Sequence, residues 1–393
     1  MLVLFTYGDY SLKILYDIAM PYADAFFSGF GDAKAFELGS LCSEALVDVD
    51  ALFVRSTTKV TADLLQKANK LTFVATATAG FNHIDVDYLE RQGINWYAAG
   101  GCNAVAVAEY VLSAILQLSH EDNFNLFDKK VAIIGAGHVG TALSDILGAL
   151  QIDYVLCDPP LQAAGDGRTF VTFAEALRAD IICLHTPLTT TGQHPTFHLF
   201  GKDELLALSV HQYLINACRG EVVDNRALLS YFDSGKHVNV VLDVWENEPL
   251  INHELIPHIR LATAHIAGHT LEGKARGTSM VYDAFCHHLH VQNELKLEQF
   301  LPHFENNPTV NSSKSSFDQL FQLVKHMYDI KKDDGIFRAR MAESEAFAAI
   351  RKHYPIRREF SAALVVFCAE KANEINKNKA AKIAATIGFK IAN

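Results

Sequence analysis

Three titratable side chains follow apolar runs in the second half of the chain: Arg219 in NACRGEVVD, Glu248 in DVWENEP and His265 in ATAHIAG. An arginine offers a planar fork that binds a carboxylate through two hydrogen bonds. A histidine can accept a hydroxyl proton, and a carboxylate beside it fixes its tautomer and favours the imidazolium form. Together these groups predict oxidation of a 2-hydroxy acid. Taken singly, they also fit a core histidine, an arginine at a helix end and a loop glutamate.

A glycine-rich turn lies between a buried strand pattern and an amphipathic helix pattern in VAIIGAGHVGTAL. Gly135 would allow a tight turn, Gly137 the close approach of a pyrophosphate, and Gly140 tight packing of the helix on the strand. His138 and Val139 lie at the start of that helix, where free N–H groups attract phosphate. The pattern predicts a dinucleotide site, and the plainer alternative is an ordinary turn between strand and helix.

Three further polar residues end neighbouring strand patterns. Asp158 in CDPP follows Gly140 by 18 residues, where an acidic residue binds the adenosine ribose. A carboxylate there repels a 2′-phosphate, so NAD is favoured over NADP. Thr186 in HTP and Asp243 in LDVW end later strands at the same predicted edge, where open α/β sheets bind their ligands.

The elements that must position these residues alternate between strand and helix. The continuous apolar runs are typical of strands buried on both faces of a parallel sheet; they cover 13–17, 51–56, 73–80, 131–137, 154–159, 180–187, 213–220, 240–245 and 261–268. Amphipathic segments lie between them, which predicts a doubly wound α/β architecture. Because the glycine-rich turn lies well inside the chain, a second α/β unit precedes it, and a helix over 104–118 links the two.

The pattern changes after residue 290. Helices are predicted over 316–329, 341–353 and 369–388, and a strand over 361–369, so this part is interpreted as a third, smaller α+β domain.

The composition excludes several classes of protein. The chain has 393 residues and a formal net charge of −11, which fits two or three globular domains and argues against a broad nucleic-acid-binding surface. Its seven cysteines are scattered and form no C-x-x-C pair, which favours a reducing cytoplasm. No apolar run is long enough to span a bilayer, and the N-terminus MLVLFTYGDY is a poor signal peptide. We expect no nucleic-acid or membrane partner.

The order of the glycine-rich turn, Asp158, HTP, NACRG, DVWENEP and HIAG resembles the D-isomer-specific 2-hydroxyacid dehydrogenase family. The resemblance implies that Arg219 holds the substrate carboxylate, that His265 is the acid/base and that Glu248 supports it. It also implies two Rossmann-like parallel-sheet domains and NAD as the cofactor.

Further motifs resemble those members of the family that act on a small phosphorylated 2-hydroxy acid and carry a C-terminal dimerisation domain; they are KILYDIAMPYA, VRSTTKV, ATATAGFNHID, GCNAVAVAEYV and HTLEGKARGT. This likeness implies substrate contacts at Ser56 and Thr78, and NAD contacts at Asp158, Thr186, Asp243 and Gly268. It implies a homodimer with a substrate (lid) domain over 12–100 and 269–290, an NAD-binding domain over 101–268 and a dimerisation domain over 291–393.

The chain departs from that pattern in two places. Relatives commonly have a tyrosine as a substrate contact where this chain has His269, whose imidazole can still donate a hydrogen bond. Residues 1–12 precede the first shared motif, and we expect translation to start near Leu12. Basic residues that could bind a substrate phosphate are Arg55, Lys59, Lys274 and Arg276.

Other interpretations stay open at this stage. The core motifs also fit a different D-2-hydroxyacid dehydrogenase, such as one acting on phosphoglycerate, and the fold also serves in NAD-sensing scaffolds without catalysis. A metal site is not expected. His265 and His269 are separated by a strand-like segment and a glycine, and CHHLH (286–290) fits a helix end, where histidines are favoured by the helix dipole.

Overall fold

The structure is a computed structural model that describes residues 11–311, 315–343, 345–368 and 381–392. It has two compact units. One combines the described residues up to Asn103 with Thr270–His303, and the other combines Ala104–His269 with the described residues from Phe304 onwards. The predicted division into three domains stays a prediction. The expectation about residues 1–12 falls mostly on residues 1–10, which lie outside the described part of the chain.

The first unit contains a five-stranded parallel sheet in the order β2-β1-β3-β4-β5. Its strands are β1 (Leu12–Asp17), β2 (Gly31–Phe36), β3 (Ala51–Val54), β4 (Phe73–Thr76) and β5 (Asn95–Ala98). Its helices are α1 (Ala23–Phe27), α2 (Ala62–Leu65), α3 (Val86–Gln92) and α10 (Leu271–His288). The apolar runs did not predict the edge strands β2 and β5, because their residues are largely exposed or half-buried.

The core of the first unit is rich in aromatic side chains. Tyr282 and Phe285 of α10 pack against Phe26 and Phe53, with ring centroids 5.1 and 5.2 Å apart. Gly277 lets α10 approach the sheet, because a Cβ there would collide with the carbonyl oxygen of Ala77. The later segment of the chain therefore completes the core of the earlier one.

The second unit contains a six-stranded parallel sheet in the order β11-β10-β9-β8-β6-β7. Its strands are β6 (Lys130–Ile134), β7 (Asp153–Cys157), β8 (Ile181–Leu184), β9 (Tyr213–Asn216), β10 (Asn239–Leu242) and β11 (Leu261–Ala262). A parallel bridge between Leu156 of β7 and Phe170 places Phe170 next to β7, where a further edge strand would lie. Counted from β6, the sheet thus has the strand order 3-2-1-4-5-6 of a dinucleotide-binding fold, with β11 after it.

The helices of the second unit come from the segment that contains the sheet and from the tail. They are α4 (Ala104–Asp122), α5 (His138–Ala149), α6 (Pro159–Ala163), α7 (Phe173–Ala176), α8 (Lys202–Ala207), α9 (Asn225–Asp233), α11 (Ser316–Met327), α12 (Ile330–Arg340) and α13 (Ala346–Lys352). The predicted helix over 104–118 is confirmed as α4, which is buried over most of its length because α5, α11 and α12 pack around it.

The tail adds a three-stranded parallel sheet, β12 (Thr309–Asn311), β13 (Leu364–Cys368) and β14 (Lys390–Ile391), in the order β12-β13-β14. The α/β class with two doubly wound parallel sheets and an additional α+β segment is thus confirmed. The predicted helix over 341–353 is wrong at its start, since α12 ends at Arg340 and Glu345 takes a φ of 59° before α13. Of the helix predicted over 369–388, residues 369–380 lie outside the described residues, and 381–386 are helical.

Across the described residues, no helix combines the length and the apolar character needed to cross a bilayer.

Candidate active site

The glycine-rich turn joins β6 to α5 by a route that requires glycine at two positions, Gly135 and Gly140. Gly135 has a φ of 94°, and a Cβ on it would lie 2.6 Å from the carbonyl oxygen of His185. A Cβ on Gly140 would collide with the carbonyl oxygen of Gly135, whereas a Cβ on Gly137 would meet nothing within 4 Å. Two glycines thus permit close packing, and the third leaves open space beside the backbone.

Helix α5 begins at His138 directly after this turn and runs for 12 residues. Its first backbone N–H groups, including those of His138 and Val139, have no intrahelical acceptor, and they carry the positive end of the helix dipole. Open space next to these groups suits a phosphate. The residues present therefore fit the pyrophosphate of a dinucleotide.

Asp158 follows β7 and holds the turn in place. One carboxylate oxygen accepts a 2.8 Å hydrogen bond from the Ala136 N–H, and the other accepts a 3.0 Å bond from the Leu161 N–H at the start of α6. Sequence reasoning assigned Asp158 to the ribose, and that contact stays a prediction. The structure adds a second role for the same carboxylate.

His185 and Thr186 follow β8 and face the same turn. The His185 side chain is fully buried, and burial lowers its pKa to about 3. Its imidazole is therefore neutral near pH 7. The close approach of Gly135 to His185 and Thr186 places the predicted NAD contact at Thr186 beside the glycine-rich turn.

His265 and Glu248 form a hydrogen-bonded pair. His265 Nδ1 lies 2.7 Å from Glu248 Oε2, and Glu248 Oε1 accepts a 2.9 Å bond from the Trp245 N–H. An ionised carboxylate only accepts, so Nδ1 donates and Nε2 carries the lone pair that can take up a proton. Because the His265 side chain is one-third exposed (33%), a ligand can reach its ring.

The turn that carries His265 is held by one buried carboxylate. Asp243 accepts hydrogen bonds of 2.7 Å from Thr263 Oγ1, 2.8 Å from the Ile266 N–H and 2.9 Å from the Ala267 N–H. Its backbone oxygen accepts the His265 N–H at 2.6 Å, and His265 has a φ of 54°. The resemblance assigned Asp243 to NAD; that contact stays a prediction, and ordering of this turn is what the geometry shows.

Arg219 lies in the turn after β9, next to the turn that contains Glu248. Gly220 makes this possible, because a Cβ there would overlap the carbonyl group of Trp245. Asn216 Nδ2 donates to the Arg219 carbonyl oxygen at 2.9 Å, and Arg219 Nη1 donates to the Cys218 carbonyl oxygen at 2.7 Å. The structure thus brings the NACRG and DVWENEP segments together.

Gly268 and His269 complete the turn after His265. The His269 N–H donates to the Ile266 carbonyl oxygen at 2.8 Å, and the His269 ring meets the Tyr354 ring edge to face at 5.9 Å. The two histidines that are four residues apart therefore share a tight turn and not a helix face.

In the first unit, the predicted substrate contacts follow neighbouring strands. Ser56 is exposed just after β3, and Thr78 comes after β4. Thr78 Oγ1 lies 2.7 Å from Thr76 Oγ1 and donates to the Gly80 carbonyl oxygen at 3.0 Å. Because carboxyl ends of parallel strands share one edge, both residues belong to the ligand-binding edge of this sheet.

Two of the four candidate phosphate-binding residues lie near a common neighbour in the first unit. Arg55 Nη1 donates to the Ala19 carbonyl oxygen at 2.9 Å, and Arg276 Nη1 donates to the Cys102 carbonyl oxygen at 2.6 Å. Burial raises the pKa of the Cys102 thiol to about 11, while the charges of Arg276 and Arg55 both act to lower it. Lys59 is exposed at the same sheet edge.

One cluster of described side chains has the composition of a metal site: His198, Asp224 and Glu246 bring ligand atoms within 4.8 Å of one another. These groups already bind one another and the backbone. His198 Nε2 lies 2.7 Å from Glu246 Oε1, while Glu246 and Asp224 accept the N–H groups of Asn225 and Ala227. The cluster stabilises the N-terminal end of α9 through these hydrogen bonds. The expected absence of a metal stays a prediction.

Sequence reasoning missed the side chains that support this site. Asp243 was expected as a strand end and an NAD contact, not as the acceptor that orders the turn after His265, and two tail residues near that turn, Tyr354 and Arg357, were not singled out. A conspicuous YPIRREF segment in the tail was the one available signal.

Comparison with known proteins agrees with the motifs. A family model described as "D-isomer specific 2-hydroxyacid dehydrogenase, NAD binding domain" matches residues 111–267, and one described as "Domain of unknown function (DUF3410)" matches residues 300–380. Among solved structures, the fold is similar to D-lactate dehydrogenase from Aquifex aeolicus complexed with NAD and lactic acid (TM-score 0.55, 22% identity, 71% of this chain and 95% of that one). It is also similar to NAD-dependent formate dehydrogenase from Staphylococcus aureus in complex with NAD (TM-score 0.56, 24% identity, 72% and 97%).

Relatives with higher identity carry one name. A protein from Pseudoalteromonas atlantica named erythronate-4-phosphate dehydrogenase is 50% identical over 355 residues, which cover 90% of this chain and 95% of the relative. A protein of that name from Tolumonas auensis is 44% identical over 92% of this chain and 97% of its own. The chain therefore belongs to the erythronate-4-phosphate dehydrogenases, within the D-isomer-specific 2-hydroxyacid dehydrogenase family.

Proposed function

We propose that this chain is an NAD-dependent oxidoreductase that oxidises 4-phospho-D-erythronate to 3-hydroxy-2-oxo-4-phosphooxybutanoate, a step of pyridoxine 5′-phosphate (vitamin B6) biosynthesis. The observation that carries the proposal is the 2.7 Å pair of His265 with Glu248, in a turn held by Asp243. Its support is the 50% identity to a relative named for this substrate.

The pair provides the proton transfer that the reaction needs. Oxidation at C2 removes the hydroxyl proton together with a hydride from carbon. His265 Nε2 accepts the proton, and Glu248 stabilises the imidazolium that forms. Arg219 binds the C1 carboxylate and so orients C2. When bound, NAD supplies the acceptor for the hydride.

The residues proposed to hold NAD belong to the turns at one edge of the second sheet. The glycine-rich turn and the start of α5 would bind the pyrophosphate, and Asp158 the ribose. The proposed set is Gly135, Gly137, His138, Val139, Gly140, Asp158, Thr186, Asp243 and Gly268.

For the remainder of the substrate, we propose contacts with Ser56 and Thr78 and with the His269 ring. Arg55 supplies positive charge for the phosphate at the sheet edge that carries Ser56. Support for His269 comes from its position in the turn and from its ability to donate a hydrogen bond where relatives have a tyrosine hydroxyl.

We also propose that the chain forms a homodimer in the cytoplasm, with the tail as the interface. Among the described residues of the tail, apolar side chains are exposed at Ile356 (80%), Val366 (43%) and Leu364 (38%). Leu364 and Val366 are two residues apart on β13 and so share one face of the strand, and an exposed apolar face is typical of an interface between subunits. Light scattering coupled to size exclusion measures the subunit number, and charged substitutions at Ile356 and Val366 should reduce it.

The activity is tested by following NADH formation with 4-phosphoerythronate and with 3-phosphoglycerate side by side. We expect turnover of the first to exceed that of the second at least tenfold. His265→Ala should abolish turnover, with a loss on the order of a thousandfold, while NAD still binds. Equal turnover of the two acids would defeat the narrow assignment, and NAD binding without turnover of any 2-hydroxy acid would favour a non-catalytic role.

A further inference from the structure

The catalytic turn 265–269 is held from two sides, and only one of them belongs to the NAD-binding sheet. Asp243 on that sheet binds the N–H groups of Ile266 and Ala267. On the other side, the carbonyl oxygen of Ala267 accepts a short hydrogen bond from Nη2 of Arg357 in the tail. Donors and acceptors of the same peptide segment are thus fixed by different parts of the chain.

Arg357 is built into the interior. The residue is 6% exposed, and the same Nη2 donates to the Ala106 carbonyl oxygen in the first turn of α4 at 3.0 Å. Its guanidinium lies 4.4 Å from the centroid of the Tyr328 ring. Burial lowers the pKa of Arg357, but Tyr354, Tyr328 and Glu109 more than offset this effect, so the side chain stays charged.

A second tail residue contacts the end of the turn. The Tyr354 ring meets the His269 ring edge to face, and the Tyr354 hydroxyl donates to Asp333 Oδ2 at 2.6 Å. The Tyr328 hydroxyl donates to the same oxygen at 2.9 Å. Asp333 therefore fixes the two tyrosines that lie against Arg357 and His269.

Packing and hydrogen bonds both hold this turn. Ile266 and Ala267 are buried, each with 1% exposure. A cavity of about 180 Å³, partly open to solvent, lies against Ala264 and Ile266 and is also lined by Tyr354, so packing is incomplete on that side. The hydrogen bonds to Asp243 and from Arg357 add directional restraint.

We propose that Arg357 is a positioning residue for the dehydrogenase reaction, aligning His265 through the Ala267 carbonyl group, and that Tyr354 positions the His269 ring. This inference rests on the proposed role of His265 as the acid/base. It gives the tail a part in catalysis in addition to any role in assembly. A displacement of about 1 Å at a reacting group costs on the order of a hundredfold in rate.

The test compares full-length variants of neighbouring arginines. Arg357→Met keeps an unbranched side chain but loses the guanidinium and its hydrogen bonds, Arg357→Lys keeps the charge, and Arg358→Met is the control, since the Arg358 guanidinium lies over the Phe304 ring. With 4-phosphoerythronate we expect kcat to fall about a hundredfold in Arg357→Met and about tenfold in Arg357→Lys. The Kd for NAD should stay within threefold, and the control within twofold of wild type.

Tyr354→Leu should instead raise KM for the substrate about fivefold, because it removes the ring contact to His269. It should lower kcat much less than Arg357→Met does, because the hydrogen bond from Arg357 to Ala267 is kept. This split between kcat and KM distinguishes positioning of two residues from a general loss of stability, which would lower the fraction of active protein and leave KM unchanged. If Arg357→Met does not fold, as judged by circular dichroism, the positioning role is tested by comparing kcat and KM of Arg357→Lys with those of Tyr354→Leu.

Hydrogen exchange separates this inference from the proposed function. We expect backbone N–H groups in a peptide covering 263–270 to exchange at least tenfold faster in Arg357→Met or Arg357→Lys than in Arg358→Met, with no substrate present. Unchanged exchange, or a kcat within twofold of wild type in a folded Arg357 variant, would overturn the positioning role. If wild-type protein oxidises no 2-hydroxy acid, the proposed function fails, and exchange alone decides whether Arg357 orders the turn.

Discussion

The two parallel sheets differ at the turn that follows the first strand of each, β1 in one and β6 in the other. In the first unit, β1 ends at Asp17, whose buried carboxylate accepts the Ala19 N–H at 2.8 Å. In the second unit, β6 is followed by Gly135 with a φ of 94° and by open space at Gly137. The turn after β1 presents a carboxylate whose oxygen already binds a backbone N–H. The turn after β6 presents free N–H groups.

This difference teaches that a shared architecture does not assign a ligand. Both sheets have a switch point where ligands of α/β folds bind, between β1 and β3 in one and between β6 and β8 in the other. A buried carboxylate repels phosphate, whereas the start of a 12-residue helix attracts it. The second sheet is suited to the pyrophosphate of a dinucleotide, and we propose that the first sheet contributes Ser56 and Thr78 to recognition of the substrate.

The largest expected effect comes from removing the proposed substrate contact on the second sheet. Arg219→Gln removes the fork that is proposed to bind the substrate carboxylate, so we expect kcat/KM to fall about a hundredfold with NAD affinity unchanged. Steady-state kinetics and calorimetry measure the two quantities. Arg226→Gln, an exposed neighbour on α9, is the control. An equal loss in both variants would remove Arg219 from the site.

Two glycines of α5 test whether close packing defines the glycine-rich turn. Gly140→Ala puts a Cβ against the Gly135 carbonyl oxygen and should lower the free energy of unfolding by about 1–3 kcal/mol. Gly148→Ala makes an ordinary 3.5 Å contact with Tyr154 and should raise it by up to about 1 kcal/mol, because alanine favours the helix. Urea denaturation measures both, and changes of the same sign would contradict the packing argument.

His185, next to the glycine-rich turn, gives a pH-dependent test. Its pKa of about 3 in the folded chain lies below the value of about 6.5 in an unfolded chain. Between these values the unfolded chain binds more protons, so the free energy of unfolding falls as pH drops from about 6.5 towards 3.

From pH 7 to pH 5, the wild type should lose about 2 kcal/mol more stability than His185→Leu. Denaturation by urea at the two pH values measures this difference. His83 of the first unit is the comparison, since burial also lowers its pKa but its ring lies 3.0 Å from Thr76 Oγ1. An identical pH dependence in wild type and His185→Leu would show that His185 takes up a proton in the folded chain.

The smallest expected effect belongs to the first sheet. Arg55→Gln should raise KM for 4-phosphoerythronate about tenfold while leaving KM for unphosphorylated D-erythronate and the Kd for NAD unchanged, since one charge-assisted hydrogen bond contributes about this much. Lys59→Gln is the matched variant. If only Lys59→Gln raises KM, phosphate binding belongs to Lys59.

Much of the fold followed from continuous apolar runs, because β3, β4, β6, β8, β9 and β10 are buried at nearly every position, whereas β1 and β7 are partly buried. The edge strands β2 and β5 have no such run, since one side of an edge strand faces solvent. The strand expected over 261–268 ends at Ala262, because Asp243 captures the N–H groups that would have continued the ladder.

The site was predictable in its residue types and order, but not in its support. Arginine, glutamate and histidine at strand ends predicted one crevice, and the structure brings Glu248 to His265. Arg357 contacts Ala267 across 90 residues of sequence, and no periodicity links two such positions. Likewise, a lone aspartate in LDVW does not reveal that three donors converge on it.

The first unit is assembled from two stretches of chain separated by Ala104–His269, and its core requires Tyr282 and Phe285 from the later stretch. During synthesis its sheet must therefore wait for the intervening segment, on the order of 10–30 s at about 5–20 residues per second. The Rossmann sheet of the second unit leaves the ribosome whole in that interval. We expect it to acquire structure first, and a fragment ending before α10 to expose the aromatic side chains of the first unit to chaperones.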